Sequence, residues 1–260
     1  MPNRAASGKE HATGLVGPLQ YHLEAFTRLS QQDRALIERL TRKNVREVAA
    51  RRDLVREGEK PRAVNVVLDG WACRYKQLPD GRRQVVSFFL PGDLCDANVF
   101  ILREMDHSIG AVTRVRYAEI MPADFEDLLT QSPRITQALW WHELVTAAVQ
   151  REWTTNVGQR SAYERIAHLF CELFIRLHQV QLTDGNSCYF PLTQTDIADA
   201  TGLTSVHVNR TLQELRREGL IELAGKRLII PDLRALMNVS MFNPNYLHLD
   251  REGRHLDAND

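Results

Sequence analysis

The segment FPLTQTDIADATGLTSVHVNRTLQELRREGLIELAGKRLIIPD constrains this chain most, because two capped helices, a turn glycine and a hairpin follow one another in it at short, fixed spacing. Thr193 is placed to cap a helix whose third residue is Asp196, and Gly202 lets the chain turn. Thr204 caps a second helix that Gly219 ends. At about 100 degrees per residue, Val208, Leu212 and Leu215 share the side that must face a core. The opposite side carries Val206, Arg210, Gln213 and Arg217, flanked by His207 and Asn209. The run LIELAGKRLIIPD then predicts a hairpin turning at Ala224-Gly225, with Lys226 and Arg227 beside the turn. A second helix with exposed donors and a small apolar group suits a major groove: arginine pairs with guanine and valine meets a thymine methyl. The wing would approach phosphates.

A length of 260 residues suggests two unequal domains, and equal numbers of basic and acidic residues, 33 each, exclude a chain that coats nucleic acid by bulk charge. The four cysteines, Cys73, Cys95, Cys171 and Cys188, are scattered and form no CxxC pair, so reduced thiols are expected and neither metal nor disulfide. His168 and His178, ten residues apart, are read as solvent-facing or satisfied. No apolar run approaches membrane-spanning length and the first residues lack a signal-peptide core, which places the protein in the cytoplasm and off the membrane. No GxSxG, HExxH, phosphate loop or dinucleotide motif is present, so neither an enzyme nor a bound cofactor is expected.

Three periodicities divide the chain. Residues 1–19 read as a flexible tail. A helical stretch is predicted from about Gln20 to Val45, with Leu29, Leu36, Ile37 and Leu40 on one side and Ser30 as a cap. From Val48 to Met121, short runs such as VNVVL, WACRY, VVSFFL and AVTRV predict strands. Gly58, Gly70, Gly81 and Gly92 recur every 11 or 12 residues, each expected at positive φ in the turns of an antiparallel barrel or roll. After Pro122 strand signals stop, and a long helix is predicted from about Ser132 to Gly158, where the glycine would interrupt it as a hinge. Its apolar residues lie on more than one face, so it needs two packing partners: its own β domain and the same helix of a second subunit. Ile135, Leu139, His142, Val145, Val149 and Trp153 are the candidate dimer positions, with Asn156 also able to sit in the seam. The expected architecture is α+β: an antiparallel β-roll over 20–131, a dimerisation helix over 132–157, a winged helix-turn-helix over 158–240 and a C-terminal tail over 241–260.

From about Val48 to Asp232 the chain resembles regulators of the Crp/Fnr family. LVREGE, VVLDGWACRY, the Asp80-Gly81 turn and FFLPGDLCD stand in the order of that family's cyclic-nucleotide-binding roll, and the C-terminal part resembles its winged helix-turn-helix. The resemblance implies a homodimer on a two-fold symmetric double-stranded DNA site, in contact with RNA polymerase. It carries the base-reading positions onto Ser205, Val206, Asn209 and Arg210. Arg210 matches the family's arginine, whereas Val206 stands where relatives carry a glutamate.

Cyclic-nucleotide binders of the family hold the phosphate with a glutamate and an arginine beside serine or threonine. Here His107-Ser108 stands at the arginine pair, while Cys95 and Asp96 follow the PGD turn. A carboxylate and a histidine neutral for much of the time at pH 7 suit a phosphodiester poorly, so cyclic AMP is not the expected effector. Arg74, Cys95, Asp96, His107 and Ser108 remain candidate pocket residues for an unknown small molecule. Asp96 should raise the Cys95 thiol, which argues against it as a redox centre. An N-terminal cysteine cluster for iron and sulfur is lacking. Control by a different effector, by thiol oxidation or by abundance alone stays open, as does a second class of function: an effector-binding module acting on another protein without DNA.

Overall fold

The computed structural model describes residues 17–97 and 99–249. The predicted first helix is two: α1 (Pro18–Glu24) and α2 (Gln31–Lys43). The break has a local cause. Ser30 and Asp33 cap each other reciprocally, which requires Ser30 to be extended and stops any helix from running through it. The residues of the expected flexible tail that are described, 17–19, belong to the start of α1, with Leu19 buried; residues 1–16 lie outside the described residues.

Eight strands follow: β1 (Val45–Val48), β2 (Asp53–Val55), β3 (Val64–Asp69), β4 (Ala72–Gln77), β5 (Arg83–Phe89), β6 (Leu94–Cys95), β7 (Ser108–Ala111) and β8 (Val115–Ile120). They form two antiparallel four-stranded sheets, ordered β1-β8-β3-β6 and β2-β7-β4-β5, with Val66 opposite Ala118 and Cys73 opposite Gly110. AVTRV, expected as one strand, is instead the turn from β7 into β8. The main chain at Val112 and Thr113 bonds back to the Trp71 carbonyl, and Thr113 Oγ1 accepts the Trp71 N–H at 2.9 Å. Gly70 makes this crossing possible: a Cβ there would lie 2.1 Å from the Arg114 carbonyl oxygen.

Beyond the strands come α3 (Pro122–Gln131), which the sequence reading missed, and α4 (Pro133–Gln159). Gly158 does not interrupt α4. The break falls at Arg160, because Ser161 and Glu164 make a capping box that starts α5 (Ala162–Gln179). A second missed feature is the pair β9 (Thr183–Asp184) and β10 (Ser187–Tyr189). Then come α6 (Gln194–Thr201), α7 (Ser205–Arg217), β11 (Glu222–Ala224) and β12 (Arg227–Ile229), so the wing is one edge of a four-stranded sheet, β11-β12-β10-β9. α8 (Leu233–Val239) closes the domain. The segment expected as a C-terminal tail packs inward as far as it is described: Phe242, Tyr246 and Leu247 are buried, two of them on a 3-10 turn at Pro244–Leu247.

One apolar cluster runs across the parts. Trp71 and Phe88 of the roll, Trp153 of α4, Phe170 of α5 and Phe190 pack in one cluster with Val208, Leu212 and Leu215 of α7. A buried polar joint crosses the same seam. Glu172, fully buried, accepts from Trp153 Nε1 at 3.0 Å, Tyr246 Oη at 2.9 Å and Arg176 at 3.3 Å, and Arg176 donates onward to Asp93 at 2.7 Å and the Phe88 carbonyl at 2.9 Å. Burial raises the Glu172 carboxyl against the opposing pull of Arg176.

Candidate functional sites: the reading helix and the floor of the roll

Helices α6 and α7 are set by their caps. Thr193 Oγ1 accepts from the Asp196 N–H at 3.2 Å while the Asp196 carboxylate accepts the Thr193 N–H at 2.9 Å. Gly202, at φ +65, ends α6, and Thr204 Oγ1 accepts the His207 N–H at 3.2 Å to start α7. With Val208, Leu212 and Leu215 buried, the opposite face of α7 is presented outward. Val206 is 82% exposed, Thr204, Ser205, Arg210, Gln213 and Arg217 are exposed, and His207 and Asn209 are half-buried. Asn209 donates to Gln194 Oε1 at 3.3 Å, and Arg210 lies 3.4 Å from His207 Nε2. Gln194, at the first turn of α6, was not singled out from the sequence; its place beside Asn209 depends on how the two helices cross. At the wing, Lys226 is exposed at φ +61 after Gly225. Arg227, also expected near phosphates, is instead held by Asp184 at 3.0 Å and by Ser187, partners that strands β9 and β10 supply.

Three of the five pocket candidates, Arg74, Asp96 and His107, come together in the roll as a charge network with Asp106, with Cys95 and Ser108 next to them in the chain. Asp96, at φ +59, accepts from Arg74 and pairs with His107 Nε2 at 3.0 Å, while His107 Nδ1 meets Asp106 at 2.6 Å. Arg74 lies over the Phe89 ring, 5.0 Å from its centroid. Ser108 Oγ accepts the Glu57 N–H at 3.0 Å. Burial lowers the His107 pKa, but the hydrogen bond and charge of Asp96, helped by Asp106, outweigh it and leave the value raised. This direction runs against the expectation of a largely neutral imidazole, since two carboxylates favour its charged form. Asp96 is held low despite its burial, by the same histidine and by Arg74. Cys95 is pushed well up, more by burial than by Asp96, and Cys73, Cys171 and Cys188 are buried and raised to about 11, 12 and 12 respectively by desolvation. Next to this network, Asn65, Cys95, Asp96 and Glu119 line a cavity of about 430 Å³ flanked by Lys60 and Arg62.

The six positions expected at a dimer seam lie on the inner side of α4. Ile135 and Leu139 are buried against the helices behind the roll, Val145 is half-buried, Val149 and Trp153 enter the shared interior, and Trp153 is bound to Glu172. His142 is buried 2.9 Å from His22 Nε2 and lowered to about 3, by burial first and His22 second. Asn156 donates to the Arg165 carbonyl at 3.3 Å. The outward face of α4 carries a different series: Trp140 at 73% exposure, Leu144 at 68%, then Ala147, Arg151, Thr154 and Gly158. His168 is buried and lowered to about 3 by desolvation, packed on Phe242 and Tyr246; His178 is exposed and pairs with Thr183 at 2.9 Å. Among the described residues, no group of three or more His, Cys, Asp or Glu side chains could hold a metal, and no helix is long and apolar enough to cross a membrane.

Residues 164–239 match the Crp-like helix-turn-helix domain and residues 45–132 match the cyclic nucleotide-binding domain, in the order the geometry gives them. The chain belongs to the Crp/Fnr family of transcription regulators. Its similarity to the transcriptional activator protein FnrL of Cereibacter sphaeroides is 29% identity over 224 residues, 83% of this chain and 87% of that protein. The nitrogen fixation regulation protein FixK of Bradyrhizobium diazoefficiens is 33% identical over 156 residues, 60% of this chain and 64% of that protein. In structure, FixK2 from Bradyrhizobium japonicum aligns with a TM-score of 0.68 at 22% identity, over 77% of this chain and 98% of that one, and so shares the fold. The chain is thus a Crp/Fnr-type DNA-binding transcription regulator with an α+β architecture.

Proposed function

We propose that this Crp/Fnr regulator acts in the cytoplasm as a homodimer, reads a two-fold symmetric operator with the outward face of α7, and contacts RNA polymerase to alter initiation. The observation that carries the reading is the outward set on α7: Arg210 free of any carboxylate partner among the described residues, beside Val206 at 82% exposure. Arginine pairs with guanine O6 and N7, and valine meets a thymine methyl where a glutamate would accept from cytosine. Ser205, His207, Asn209, Gln213 and Arg217 complete the face, with Thr193, Thr204 and Lys226 placed for phosphates. The seam we assign to the outward stripe of α4, since Trp140, Leu144, Ala147, Arg151, Thr154 and Gly158 recur at alternating spacings of four and three, the period of a two-helix seam. Large apolar groups this exposed mark an interface. No catalytic role is proposed.

The effector we propose is not cyclic AMP. The space an arginine would offer to a phosphate is taken by His107, already paired with Asp96 and Asp106, and Arg74 is spent on Asp96. A phosphodiester would have to displace a carboxylate from two cations. Selection of bound DNA from a random pool tests the head: recovery of a two-fold site whose preference changes on Val206→Glu supports it, and sequence-independent binding overturns it. A melting titration with cyclic AMP tests the roll, where a saturable rise would overturn the second claim.

A further inference from the structure

The roll and the reading head meet along a polar seam that the DNA-reading role does not use. Arg51, at φ +66 in the turn between β1 and β2, forks onto Asp196 of α6 with contacts of 2.5 and 2.8 Å, and Gln84 of β5 donates to the Ala200 carbonyl at 3.3 Å. Beside this fork opens a cleft of about 200 Å³, lined by Arg51, Asp53, Tyr75, Arg83 and the bare Gly110. Arg83 is unusual within it. Its neighbour Arg82 is paired with Asp80, whereas Arg83 makes no ion pair within 4 Å among the described residues, the nearby Asp199 carboxyl feeling its charge without bonding it. It lies over the Tyr75 ring at 3.9 Å and donates to Cys73 Sγ at 3.0 Å, a weak acceptor, and its Nε is buried with no partner.

A guanidinium with unsatisfied donors in a recess wants a planar or tetrahedral oxyanion, which accepts two of its N–H groups at once. The one carboxylate lining the cleft does not fill that need: Asp53 is taken by Tyr75 Oη at 2.9 Å and by Arg56 at 3.3 Å. Gly110 keeps the floor open, since a Cβ there would stand 3.1 Å from the Tyr75 ring and 3.5 Å from Arg83 Nη2. We propose that this cleft binds a small oxyanion, a phosphate or phosphomonoester, between Arg83 and Arg51. Such an anion competes with Asp196 for Arg51, so its binding loosens the contact that ties α6 to the roll. The consequence for DNA rests on the function proposed above; the binding itself does not.

Titration of the full-length protein with inorganic phosphate and, separately, glycerol 3-phosphate, by calorimetry at ionic strength held constant with chloride, tests the site. Saturable binding that Arg83→Gln and Arg51→Gln each weaken at least tenfold is expected, and the tighter of the two ligands tells whether the free ion or an ester is the better occupant. Equal affinity in wild type and Arg83→Gln, or no heat beyond that of chloride, overturns the proposal. If Arg83→Gln melts early, Arg83→Lys serves in its place: it keeps the charge, cannot fork, and should bind several-fold more weakly. Operator affinity measured with and without saturating phosphate then reads the coupling apart from the site, because unchanged operator affinity with intact phosphate binding removes only the link to DNA.

Discussion

Helix α7 and the floor of the roll hold the same kinds of cation and treat them in opposite ways. On α7, Arg210 is exposed beside His207, and Arg217 reaches Glu214 only at 3.9 Å, so both guanidinium groups keep free donors. In the roll, Arg74 and His107 are three-quarters or more buried and closed onto Asp96 and Asp106. A cation left free on a rigid helix is available to a polyanion; a cation already paired in a recess serves the fold, and an incoming anion must first outcompete its partner. The contrast separates an exposed helix face whose cations keep free donors from a recess whose cations are paired internally.

The largest test concerns the joint that holds the two regions together. Arg176 reaches from α5 to Asp93 of the roll and to the fully buried Glu172, so Arg176→Ala strands two carboxylates at once. Breaking one partner of a buried pair costs about 3–5 kcal/mol, and urea unfolding should show a loss of that order. A loss under about 1 kcal/mol, the range of surface pairs, would mean that the head and roll are held without this joint, by their apolar contacts and the Arg51–Asp196 pair.

Next in size is the head itself. Arg210→Ala should weaken operator binding by about 1–3 kcal/mol and relax preference at one guanine, whereas Arg74→Ala should leave the preferred sequence unchanged. Quantitative footprinting on a panel of operators distinguishes the two. Equal weakening on every sequence by Arg210→Ala would reassign that side chain to a phosphate and erase the contrast between free and spent cations. Smaller again, Thr204→Ala removes the cap of α7 and should lower stability by about 1 kcal/mol, read from the urea midpoint.

How much of this was legible in the sequence follows from the range of the forces involved. The head could be read because its determinants are local: Thr193 with Asp196, Thr204, Gly202 and the buried triplet Val208, Leu212 and Leu215 all act within a turn or two of helix. The glycines of the roll, at positive φ as expected, are local too. What escaped depends on contacts between distant residues. The outward face of α4 could not be told from its inward face, because both carry large apolar groups in its first half and the contacts that settle Trp153, Phe88 of the roll and Glu172 19 residues further on, are distant in sequence. The docking of Phe242 and Tyr246 depends on α4 and α5, and the pairing of Arg227 depends on two short strands some 40 residues earlier that carry too few residues to show a period. The charge of His107 is of the same kind, since nothing in the sequence says that Asp96 lies against it.

That last point yields the smallest and most selective effect. Because the folded His107 value is raised above its ordinary 6.5, its pairing stabilises the fold fully below that value and fades as pH rises through the folded one. Asp96 and Asp106 are lowered from their ordinary 3.8, so their share is present above that value and is lost as pH falls through their folded values. Between about pH 4 and pH 6.5 both partners are charged, and the network is at full strength there. His107→Gln should therefore lower the melting temperature most near pH 5.5 and least near pH 9, and the imidazole protons of His107 should titrate above 6.5. A gap between wild type and variant that stays flat across this window would mean that His107 sits in the roll as a neutral packing group. The cationic place of the phosphate site would then be empty of charge rather than filled, and the roll would no longer contrast with α7 in the way its pairing implies.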